Sequence, residues 1–130
     1  MVGLPENPLG NLISRDFHVE INEISIFEGV GKALREAGRA NGEEAVRRLE
    51  TGVKSILFDT KIEKFPVCEL ETINCALKLY RHGLEDLPDC LIAASAVRHT
   101  GLLLTESSDI GRVVRDAEVE LGIVRWRDLL

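Results

Sequence analysis

The chain has 130 residues, 45% of them apolar and 29% charged, which is the composition of a single compact globular domain spanning 1–130 rather than of a disordered or fibrous chain. A net charge of −6 argues against a general coat for phosphate backbones, and no apolar run approaches the ~20 residues that cross a bilayer. The N-terminus has no basic segment and no long apolar segment of secretory type, so the cytoplasm is the expected location.

In chain order, His18-Val-Glu-Ile-Asn22 alternates as a short strand does, and Ser25 opens a helical pattern with Ile26, Val30, Leu34 and Ala37 on one face. That helix is expected to stop near Asn41-Gly42. A short helix from Glu43 to Glu50 is closed by Gly52, and Ser55-Ile-Leu-Phe58 reads as a buried strand. Pro66 begins a third helix, in which Leu70, Ile73, Leu77 and Tyr80 recur at helical spacing up to Gly83. After a loop, Pro88 begins a fourth helix whose Ala93-Ala-Ser-Ala96 run implies close packing against a sheet or another helix. Gly101 ends it. Leu102-Leu-Leu-Thr105 is the next strand, Ser108 caps a helix through Val114, and Leu121 to Trp126 forms a last strand.

Strands that alternate with helices and are apolar on both faces predict an α/β fold, a three-layer α/β/α sandwich with a mainly parallel sheet. The first 22 residues stand apart, because Pro5, Pro8 and Gly10 interrupt the segment where such a fold places its central strand. A strand missing or replaced there is the expectation.

Cys68, Cys75 and Cys90 are odd in number and spaced as neither a disulfide framework nor a zinc knuckle, so all three read as small buried hydrophobes. His82 and His99 fall in last helical turns, where a cation suits the helix dipole.

In parallel α/β folds the functional crevice lies beyond the carboxyl ends of the strands. Acids stand at three such points: Glu28, Asp89, and the Thr105-Glu-Ser-Ser-Asp109 turn. Each also has a plain structural role. Ser25 to Glu28 has capping-box spacing, Asp86-Leu-Pro-Asp89 has cap spacing, and Asp109 favours a helix dipole. Three acids at one sheet edge repel one another unless a hard cation such as Mg2+ or Mn2+ lies between them.

Leu87-Pro-Asp-Cys-Leu-Ile-Ala-Ala-Ser-Ala96, followed by Arg98-His99 and Leu102-Leu-Leu-Thr105, resembles the C-terminal signature of the PIN domain, and Ile24-Ser-Ile-Phe-Glu28 resembles its upstream strand-to-helix junction. Many PIN domains are Mg2+-dependent ribonucleases, including the VapC-type toxins of toxin-antitoxin pairs. The resemblance implies that Glu28 and Asp89 are catalytic and hold Mg2+ or Mn2+. Ser107 stands where the family has a further acid, so Asp109 is the substitute metal ligand. Lys32 and Arg35, one and two helical turns past Glu28, are expected to meet RNA phosphates together with Thr105 and Ser107.

The family's first acid has no counterpart before Glu28, and Asp59, which looks right locally, follows Glu28 rather than preceding it. The expectation is therefore a metal-dependent ribonuclease with an incomplete acidic site; the alternative is a degenerate PIN-like module that binds RNA or protein. Expected partners are RNA, a second copy of the chain, and an antitoxin protein, with no membrane.

Overall fold

The computed structural model describes Leu12, Ile13, Arg15 and residues 18–37 and 42–129. The chain divides into two compact units, Met1–Phe65 and Pro66–Leu130.

In the first unit, strand β1 (Val19–Asn22) pairs in parallel with β2 (Ile62–Phe65), in a register running from Val19↔Ile62 to Asn22↔Phe65. Val19 and Ile62 are buried opposite one another. Helix α1 (Glu23–Ala37) follows β1 without a loop, because Asn22 Oδ1 accepts the Ile24 amide at 2.7 Å and turns the chain directly into the helix. Ser25 therefore lies inside α1 and is not its cap, so the expected Ser25–Glu28 capping box does not form. The expected end near Asn41-Gly42 falls partly on residues outside those described.

Helix α2 (Gly42–Phe58) overturns two expectations. It runs through Gly52, and Ser55–Phe58 is its last turn rather than a strand. Ala45, Leu49, Val53 and Ile56 keep helical spacing across the glycine and form a half-buried stripe, while α1 and α2 pack together. That packing outweighs the ~1 kcal/mol that an interior glycine costs. Ser55 Oγ donates to the Thr51 carbonyl, as a helical serine can. The strand comes instead at β2. Asp59 makes the turn before it: Oδ1 accepts the Lys61 amide at 2.8 Å and its carbonyl accepts the Ile62 amide at 3.2 Å.

The second unit holds the larger core. Helix α3 (Leu70–Arg81) starts four residues after Pro66, because Glu69 is extended and its amide closes a tight turn onto the Val67 carbonyl. Its buried residues are Thr72, Ala76 and Leu79. Leu70, Ile73, Leu77 and Tyr80 form an exposed stripe beside that face. The turn after α3 uses Gly83 at φ +105°, a conformation that excludes most side chains.

Helix α4 (Leu87–His99) buries Ala93, Ala94, Ser95 and Ala96 and packs closely on α3, as its small-residue run predicts. Ile110, Val113, Val114 and Ala117 complete this core. Strand β3 (Leu102–Leu104) pairs in parallel with β4 (Gly122–Val124), and α5 (Ser108–Asp116) connects them. The cap of α5 is Ser107, not Ser108. The last strand ends before Trp126, which opens the short helix α6 (Trp126–Leu129).

Among the described residues the fold is thus mixed α/β, with two short parallel strand pairs. Cys90 is buried and Cys75 half-buried, but Cys68 precedes α3 and is exposed, contrary to expectation. No helix among the described residues is long and apolar enough to cross a membrane.

Candidate functional site

The acids of the second unit gather where α4 and α5 begin, at the carboxyl end of β3. Asp86 caps α4: its Oδ1 accepts the Asp89 amide at 3.0 Å, and Pro88 occupies the first turn, where a missing N–H costs nothing. One residue on, Cys90 is buried and its Sγ donates to the Leu84 carbonyl at 3.1 Å. Cap and buried thiol together fix the backbone that carries Asp89.

Asp89 is half-buried, and its carboxyl titrates above the usual aspartate range. Loss of solvent is the largest cause, followed by the negative charges of Asp86 and Asp109. The same acids, with burial as the main cause, push the Cys90 thiol up as well. Asp109 lies in the first turn of α5, exposed, with Arg112 3.4 Å from it one turn along. An exposed pair of this kind is weak, and it leaves Asp109 acting on Asp89.

The turn between β3 and α5 is held by its own hydroxyls. Thr105 donates its amide to the Val124 carbonyl at 3.0 Å, and its Oγ1 accepts the Ser107 amide at 3.1 Å. Ser107 Oγ accepts the Ile110 amide at 3.4 Å as the helix cap. Glu106 accepts the Trp126 amide at 2.9 Å and so ties this turn to the end of β4.

In the first unit, Glu28, Lys32 and Arg35 are exposed residues of α1 at successive turns. With Ser25 inside the helix, Glu28 does not serve as a capping-box glutamate.

The second unit therefore brings Asp89 and Asp109 together, as the sequence implies, and adds Asp86, which the sequence marks only as a cap. Its signal was the Asp-x-Pro-Asp spacing. Oxygen donors alone, clustered tightly enough to raise one another's proton affinity, suit a hard divalent cation such as Mg2+ or Mn2+. Comparison with protein-family models, curated proteins and solved structures gave no significant match to this chain.

Proposed function

We propose that this chain is a PIN-like, metal-dependent ribonuclease hydrolysing RNA phosphodiesters, with its two parallel strand pairs belonging to one three-layer α/β/α domain. The observation that carries the reading is Asp89: a half-buried carboxylate at a helix start, its proton affinity raised by burial and by Asp86 and Asp109. Uncompensated negative charge at such a place favours a bound divalent cation.

Asp89, Asp109 and, from the PIN resemblance, Glu28 are the ligands of Mg2+ or Mn2+. Such an ion supplies an activated water and stabilises the charge developing on the phosphoryl oxygens. Asp86 holds the first turn of α4 through its hydrogen bond to the Asp89 amide, so the Asp89 carboxylate is preoriented. Lys32 and Arg35 project from α1 as exposed cations, suited to holding RNA phosphates. Thr105 and Ser107 shape the rim through the turn they close. A second copy of the chain and, in a toxin-type role, an antitoxin protein are the expected protein partners.

The Ser107 hydroxyl is taken up as a helix cap where the family carries an acid. This favours weak activity, and it supports a second reading in which the module binds RNA without cleaving it.

Single-stranded RNA incubated with the chain and Mn2+ or Mg2+ tests both. Slow metal-dependent cleavage, lost in Asp89→Asn and in Glu28→Gln, is the expected result. Activity that survives both substitutions refutes the site, and RNA binding without cleavage establishes the second reading.

A further inference from the structure

His18, Glu20 and Glu63 converge on the solvent face of the β1–β2 pair. Glu20 and Glu63 are register partners, so their side chains leave the sheet on the same face, and His18 lies two residues before Glu20. His18 Nε2 is 3.2 Å from Glu20 Oε1 and 3.0 Å from Glu63 Oε2, and all three donor atoms lie within 4.8 Å of one another.

Like charges directly opposite one another on paired strands destabilise the pairing. His18 answers this only in part, since one ring nitrogen carries at most one proton and faces two carboxylates. Lys64, the nearest cation in sequence, sits one register position on, where side chains leave by the opposite face, and its Nζ donates to the Asp59 carbonyl. A tetrahedral ion holding nitrogen and oxygen ligands at about 2.0–2.1 Å sets them about 3.3 Å apart, close to both histidine–carboxylate separations.

We propose that His18, Glu20 and Glu63 form a three-ligand site for a divalent transition-metal ion of the Zn2+ type, with a water in the fourth position, which clamps β1 to β2. The mixed nitrogen and oxygen donors separate it from the all-oxygen cluster around Asp89, since imidazole favours Zn2+ over Mg2+. Binding requires His18 to be deprotonated, and its hydrogen bonds to Glu63 and Glu20 raise its pKa, so affinity increases as pH rises through that value.

The test is Zn2+ titration of the full chain by calorimetry at pH 7.5 in excess Mg2+, with Co2+ absorption reporting coordination. One ion per chain is expected, with the spectrum of a four-coordinate centre, a 15N shift at His18 Nε2, and a rise in Tm. Binding should weaken at least tenfold in His18→Gln and in Glu63→Gln, while far-UV circular dichroism and Mg2+-dependent RNA cleavage stay unchanged in His18→Gln. Binding that persists in both variants, a His18 resonance indifferent to Zn2+, or loss in Asp89→Asn instead overturns the proposal.

Discussion

Asp89 concentrates the chemistry of the second unit in one titratable group. Its folded pKa lies above its unfolded value, because burial and the charges of Asp86 and Asp109 penalise the ionised form. A raised pKa means that the folded chain holds this proton more tightly. The stability it contributes is full below the unfolded aspartate pKa and is lost as pH rises through the folded value. Carboxyl-detected NMR should therefore show Asp89 titrating above an ordinary aspartate, and Mg2+ should pull that midpoint down. Asp89→Asn should abolish both the Mg2+ effect and this part of the pH dependence. An ordinary midpoint, unmoved by Mg2+, would contradict the assignment of Asp89 as a metal ligand.

At the scale of elements, helix starts decide where the acids stand. Asp86 both caps α4 and repels the Asp89 carboxylate, and two substitutions separate these roles. Asp86→Asn keeps a good cap and removes the charge, so stability should hold while the Asp89 midpoint falls. Asp86→Ala removes both, and thermal or urea unfolding should show a loss of about 1 kcal/mol. Much of this architecture was legible in the sequence. The Asp-x-Pro-Asp spacing gave the α4 cap, and the alanine run gave its close packing. The errors came from short apolar runs and from competing caps. Ser55-Ile-Leu-Phe58 fits a strand as well as a helical turn, and only the stripe from Ala45 to Ile56 against α1 decides for helix. Ser25 and Ser108 look like caps, but Asn22 and Ser107 reach the amides first. The trio of His18, Glu20 and Glu63 was illegible, since it depends on the register of two strands 43 residues apart.

Across the whole molecule, burial is unevenly divided. Leu79, Cys90, Ala93, Ala94, Ile110 and Val113 are almost wholly buried in the core of the second unit. In the first unit α2 has no buried residue, and Phe27, Leu57 and Phe58 are among its exposed side chains. Local stability follows buried apolar contact, so opening costs less free energy in α1 and α2 than in α3 and α4. Native-state hydrogen exchange should then show amides of α1 and α2 exchanging at least tenfold faster than those at the centres of α3 and α4. Leu79→Ala supplies the converse test. A fully buried leucine truncated to alanine costs about 2–5 kcal/mol, a large share of the ~5–15 kcal/mol that holds a domain folded. Protection in α3, α4 and α5 should fall together in this variant, because Leu79 belongs to the cluster that joins them. If α2 proves as protected as α4, or if Leu79→Ala leaves α5 untouched, stability is not distributed as burial implies.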